Sequence, residues 1–144
     1  MAAQAKQVIL TSKAPAPKPF LSQAVTLNGL VYTSGAVGID PATEKVISGT
    51  TGDRTEQCLE NLSNILEAAG SSIEKARNRT KSHASKLEMK LKVTIFIDDM
   101  AKYASMNEGY LKAFNKGAMP VRICVAVKQL PLGTDVEIEI IAHQ

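Results

Sequence analysis

Three segments of this chain alternate apolar and polar side chains with a period of two: Leu91–Ile97, Val121–Gln129 and Val136–Ala142. Successive side chains of a strand point to opposite faces, so this period predicts three strands with one aliphatic face each. A half-buried strand needs neighbours, and two more β-like stretches, Ala24–Leu27 and Leu30–Ser34, flank Asn28-Gly29. That dipeptide supplies the two positive-φ positions of a two-residue hairpin turn. Between the strands lie two segments of helical period. In the first, Cys58, Leu62, Ile65, Leu66 and Ala69 share a face, with Asp53 and Glu56 as the expected capping pair and Gly70 as the stop. The second runs from Met100 to Asn115, with Tyr103, Met106, Tyr110 and Phe114 on one side, Asp98 and Asp99 at its start, and Gly117 and Pro120 closing it. Strands and helices in this order predict an α+β layer, a mostly antiparallel sheet with both helices on one face. Thr11–Pro19, with prolines at 15, 17 and 19, is expected to be extended, and the Gly35–Gly49 stretch to be loop.

The 144 residues suffice for a single domain, 1–144, with its own core. No apolar run reaches the roughly 20 residues of a membrane-spanning helix. Seventeen basic and 14 acidic side chains leave a net charge of +3, too little to imply a nucleic-acid partner from bulk charge. The charge is local: Arg77, Arg79, Lys81, Lys86 and Lys90 against Glu88 give Ala76–Lys90 a charge of +4. Residues 76–89 are polar, basic and aperiodic, and read as an insertion between helix and strand. Two cysteines, Cys58 and Cys124, make no disulfide framework. With no apolar signal core near the start, the expected compartment is the cytoplasm; the scarcity of early acidic residues leaves the mitochondrion as the alternative.

Within Val121–Lys128 the aliphatic residues Val121, Ile123, Val125 and Val127 are expected to pack on the helices, leaving Arg122 and Cys124 on the other face. The simplest reading of Arg122 is a salt-bridged surface arginine. Glu137 and Glu139 alternate in the same way on the last strand and are expected to look to the side of Arg122, either pairing with it or holding a small anion and a water beside it. His83 and His143 have no second ligand at metal spacing, so no metal site is expected. Neither histidine has an assigned place beside Cys124, and with neither a P-loop nor a dinucleotide-binding glycine motif no nucleotide cofactor is expected.

The combination of Ser22-Gln23-Ala24-Val25, Thr33-Ser34-Gly35, Glu60-Asn61-Leu62, Met106-Asn107-Glu108-Gly109-Tyr110, Pro120-Val121-Arg122-Ile123-Cys124-Val125, Leu130-Pro131 and Val136-Glu137-Ile138-Glu139 resembles the Rid (reactive intermediate deaminase), or YjgF-like, family. The resemblance runs from about Thr11 to Ala142 and is interrupted only by the basic insertion. It implies a chorismate-mutase-like α+β fold, a homotrimer with a ligand cleft at each subunit interface, and cofactor-independent hydrolysis of enamines and imines such as 2-aminoacrylate and 2-iminobutyrate to 2-keto acids and ammonia. It implies Arg122 as the bidentate grip on the substrate carboxylate, Glu137 as the group that positions or activates water, and Asn107 and Cys124 as cleft-lining residues. Ser34 and Gly35 match the loop that closes the pocket.

Two departures stand out. Active relatives often carry tyrosine where this chain has Leu21, which removes a hydroxyl from the expected pocket. The family also normally passes from the helix end into the strand without residues 76–89. The insertion has three readings: a tolerated surface loop, a stretch most relatives lack, or a basic arm for RNA. The first is favoured because doubling a loop costs only about 0.6 kcal/mol, and the absence of aromatic residues counts against base stacking. The rival to a 2-iminobutanoate/2-iminopropanoate deaminase is therefore a catalytically weak member that binds a small carboxylate, or RNA through the insertion with a ribonuclease-like activity.

Overall fold

A computed structural model describes residues 5–71, 92–115 and 118–144. The basic insertion, His83, Leu91 and Gly117 lie outside the described residues. The element order is β1 (Gln7–Ile9), β2 (Ala24–Leu27), β3 (Leu30–Thr33), β4 (Ala36–Val37), β5 (Ile39–Asp40), β6 (Lys45–Val46), α1 (Thr51–Ala68), β7 (Lys92–Ile97), α2 (Tyr103–Ala113), β8 (Val121–Ala126) and β9 (Val136–His143). The main sheet runs β1-β2-β3-β9-β7-β8, with β4 pairing alongside β9. All pairs are antiparallel except β7 with β8, which α2 joins as a parallel crossover. This is the mixed, mostly antiparallel α+β sheet that the periodicity predicts.

The hairpin forms as expected, with Asn28 and Gly29 at φ 52° and 75°. The first helix buries Cys58, Leu62, Ile65 and Leu66, and the second Met106 and Tyr110, in one cluster with Val93, Ile95, Ile97, Ile138 and Ile140 of the sheet. Gly70 stops α1 at φ +78°, its amide donating to the Glu67 carbonyl while that of Ser71 reaches Leu66. Gly109 of α2 lies against Gly52 of α1, and a Cβ at Gly109 would collide with the Gly52 carbonyl. The helices meet at a point that admits no side chain.

Several expectations are corrected. The cap of α1 is Thr50, whose side chain accepts from Asp53 N while Asp53 accepts from Thr50 N, so Asp53 is the third helical residue and not the cap. The second helix spans Tyr103–Ala113 rather than Met100–Asn115; Asp99 caps a preceding 3₁₀ turn, Met100–Lys102. The stretch after Gly35 is not simple loop: β4 joins β9, and β5 and β6 form a small hairpin of their own. β1 lies on a segment with no sequence period long enough to announce it.

The most consequential correction concerns faces. In the register, Arg122 pairs with Val93 and Cys124 with Ile95, both fully buried under the helices. Arg122 and Cys124 thus share the helix side, and the aliphatic residues face away, with Val121, Ile123 and Val125 at 61%, 48% and 37% exposure. Glu137 pairs with Phe96, three residues from Val93, and so lies on the face opposite Arg122. The rule that aliphatic means helix-facing fails here because Arg122 finds partners on α2, while the aliphatic stripe of this edge strand is left uncovered.

Candidate active site

Arg122 sits near the start of β8, where the crossover brings the strand beside α2. Its Nη1 donates to Asn107 Oδ1 at 2.6 Å and its Nη2 to the Tyr103 hydroxyl at 2.8 Å. The guanidinium carbon lies 4.7 Å from the centre of the Tyr110 ring and 5.6 Å from that of Tyr103. Residues 103, 107 and 110 follow one another at helical spacing, which places all three on one stripe of α2. All these partners are neutral. Among the described residues no carboxylate pairs with Arg122, so the salt-bridged reading does not hold. A cavity of about 340 Å³ opens beside it, lined by Asn107, Tyr110, Leu111, Met119 and Pro120.

Burial pushes the Tyr110 phenol up to about 12, and its hydroxyl is buried with no hydrogen-bond partner among the described residues. Cys124 packs partly against the core, and desolvation raises its thiol pKa although Arg122 pulls it down. A thiol held protonated is a poor nucleophile.

Leu21, Ser34, Gly35 and Glu137 come together in a second cavity of about 330 Å³. Gln23 is 4% exposed; it accepts from Thr11 N and donates to the carbonyls of Thr11 and Pro15, holding the proline-rich segment as one wall. Asn61 donates to the Ile39 carbonyl at 2.8 Å and fixes another. Ser34 is pinned by its hydroxyl to the Ser22 carbonyl at 2.6 Å. A Cβ at Gly35 would collide with the Glu137 carboxylate where it now lies, so any larger residue there would push that carboxylate aside. Burial, and then repulsion from Glu139, raises the pKa of Glu137. Leu21 (43% exposed) and Phe20 line the same cavity and bring no hydroxyl.

Within one chain the structure therefore forms two groups from the expected residues: Arg122, Asn107 and Cys124 on the helix side, and Leu21, Ser34, Gly35 and Glu137 around the second cavity. Tyr103 and Tyr110 were assigned from sequence to the helix core only. Their spacing to Asn107 is the signal that, once β8 is placed, would have found them. Among the described residues no group of three or more histidine, cysteine or acidic side chains could hold a metal ion, and no helix is long and apolar enough to cross a membrane.

A mixed sheet carrying two helices, with an arginine that has no acidic partner among the described residues beside one cavity and a half-buried carboxylate beside another, defines a small α+β protein with two candidate ligand-binding cavities. The family model described as Endoribonuclease L-PSP matches residues 11–144, and the chain belongs to this RidA/YjgF/L-PSP family. It is 36% identical to the mouse 2-iminobutanoate/2-iminopropanoate deaminase over 139 residues, covering 96% of this chain and 92% of that protein. Its fold is similar to the crystal structure of RidA from an Antarctic Psychrobacter, with a TM-score of 0.80 and 34% identity over 96% of this chain and 99% of that one. It is equally similar to Escherichia coli TdcF with bound serine, with a TM-score of 0.80 and 31% identity over 96% and 98% of the two chains.

Proposed function

We propose that this protein is a single-domain hydrolytic deaminase of enamine and imine carboxylates, with 2-aminoacrylate and 2-iminobutyrate as substrates and 2-keto acids and ammonia as products. The observation that carries the reading is Arg122, a cation held in place by neutral groups and free to take a carboxylate. The relative crystallised with serine supports a small carboxylate-bearing ligand, and the mouse relative's name supports the reaction.

Arg122 grips the carboxylate bidentately, while Asn107 and Cys124 shape the wall beside it. Glu137, its pKa raised by burial, orients a water and takes a proton from it as the oxygen adds to the imine carbon. That proton passes to the nitrogen to give a carbinolamine, and the new hydroxyl gives up its own proton to the departing nitrogen as the C–N bond breaks and ammonia and the keto acid leave. The enamine 2-aminoacrylate first becomes the imine by moving a proton from its nitrogen to its methylene carbon. Imine plus water balances keto acid plus ammonia. An imine carbon is already electrophilic, so positioning does most of the work and the reaction requires no cofactor.

Arg122 and Glu137 face opposite sides of one sheet, so a site that uses both takes them from two copies of the chain. The uncovered Val121, Ile123 and Val125 stripe supports such self-association, and we assign the active form as a homotrimer with a site at each interface. The compartment proposed is the cytoplasm, and the insertion at 76–89 a tolerated loop.

The test is turnover of freshly generated 2-aminoacrylate and 2-iminobutyrate by wild type, Arg122→Ala and a variant lacking 76–89, with mass measured by light scattering. Wild-type turnover that drops at least a hundredfold in Arg122→Ala, from a particle three chains in mass, is the expected result. Full turnover in Arg122→Ala overturns the assignment. Leu21 favours a second reading, a weak catalyst that binds a small carboxylate. Under it Leu21→Tyr raises turnover while leaving carboxylate affinity unchanged. An RNA-cleavage assay of the same variants covers the activity in the family's description.

A further inference from the structure

We propose that Tyr103 is a positioning residue for the carboxylate anchor, setting the plane of Arg122 through its phenolic oxygen. The inference rests on the reading of Arg122 as that anchor.

A guanidinium carries five N–H donors in a rigid plane. To meet a carboxylate with two parallel bonds, that plane must be fixed against both tilt and in-plane rotation. The Tyr110 ring, 4.7 Å from the guanidinium carbon, limits tilt from one side. Asn107 holds Nη1 at 2.6 Å. One tethered nitrogen on a long flexible side chain still permits the fork to swing about that contact. The Tyr103 hydroxyl accepts from the other terminal nitrogen, Nη2, at 2.8 Å, and supplies the second in-plane point. Both tethers are neutral acceptors, so among the described residues three N–H donors and the positive charge remain for a ligand.

The spacing of the three residues explains how the chain achieves this. Tyr103 and Asn107 are four apart on α2 and Tyr110 three further on, so one rigid helix presents two acceptors and a ring to a strand it also delivers. Tyr103 is 36% exposed, and no described hydrogen bond other than that with Arg122 involves its hydroxyl. Removing that oxygen changes the anchor and little else.

The experiment compares wild type, Tyr103→Phe and Arg122→Ala in three measurements. These are binding of 2-oxobutyrate by calorimetry, KM and kcat for 2-iminobutyrate, and rotation of the Arg122 Nη groups by ¹⁵N NMR. Tyr103→Phe is expected to weaken 2-oxobutyrate binding and raise KM by about fivefold, the equivalent of one hydrogen bond, with kcat within about twofold of wild type. Its melting temperature stays unchanged, and rotation at Arg122 Nη2 becomes faster. Wild-type affinity in Tyr103→Phe, or Nη2 rotation as slow as in wild type, overturns the proposal. Arg122→Ala separates the two levels: if it binds 2-oxobutyrate as tightly as wild type, the anchor reading itself fails and takes the role of Tyr103 with it.

Discussion

Two arginines in this molecule are held with equal care and for opposite ends. Arg54 on α1 donates from Nε and Nη2 to Asp135 at 2.6 Å each, and Thr51 adds a third bond to the same carboxylate. The pair is mostly buried, and it ties the first turn of α1 to the start of β9. Among the described residues, the hydrogen-bond and ring partners of Arg122 are an amide, a hydroxyl and two aromatic rings. A cation with its own carboxylate has nothing left to offer a ligand, whereas one oriented by neutral groups has its charge intact. Partner chemistry, more than burial or place in a motif, separates the structural arginine from the one proposed to hold substrate.

This contrast can be broken experimentally. The largest expected effect on stability is at the first arginine: Arg54→Ala leaves Asp135 buried without its partner and costs about 3–5 kcal/mol. Arg122→Ala is expected to leave the denaturation midpoint within the error of Arg122→Gln while activity disappears. Equal loss of stability in Arg54→Ala and Arg122→Ala, measured by urea unfolding, would abolish the distinction.

Acid sharpens the comparison. Its partners Arg54 and Thr51 outweigh burial and hold Asp135 at about 2, below its ordinary 3.8. A depressed folded value means that the contribution, about 2 kcal/mol, is complete above about pH 4 and is lost as pH falls towards 2. Asp135→Asn is expected to flatten that part of the stability curve. Arg122 has no acidic partner among the described residues, and its variants are expected to keep the wild-type acid profile.

The helix that carries the Arg122 cradle is itself seated at a glycine contact. Gly109→Ala forces α2 off Gly52 and is expected to cost about 1–3 kcal/mol, with KM rising because the cradle moves. A variant with unchanged melting temperature and KM would show that the helices can separate freely. The smallest effect is expected at Glu139, whose charge helps to raise the pKa of Glu137. Glu139→Gln lowers that pKa, so the acid limb of kcat/KM moves to lower pH, which a pH–rate profile measures.

Much of the sheet was legible because alternation over six to eight residues fixes a strand regardless of its neighbours. The hairpin was legible from Asn28-Gly29, whose backbone needs are local. The helix starts were legible only within a few residues, since Thr50 and Asp53 both fit a cap and the spacing does not choose between them. The face of β8 was not legible at all. Its two faces are aliphatic and polar in the sequence, but which one meets α2 is decided by the register with β7, a long-range fact. The two tyrosines were hidden for a related reason: on a helix that buries one stripe, an aromatic at core spacing looks the same whether it meets aliphatic groups or a guanidinium. The Arg54–Asp135 pair joins residues 81 apart and has no local signature.

The clamp at Gln23 bears on how such a protein can change over generations. All three of its bonds to the proline-rich segment are made to main-chain atoms, of Thr11 and Pro15. The path of that segment is thus held without reference to the side chains it carries. Mutation can exchange those side chains, and with them the lining of the cavity, while the clamp persists. A lineage can retune what its pocket accepts without first losing the wall that makes it a pocket.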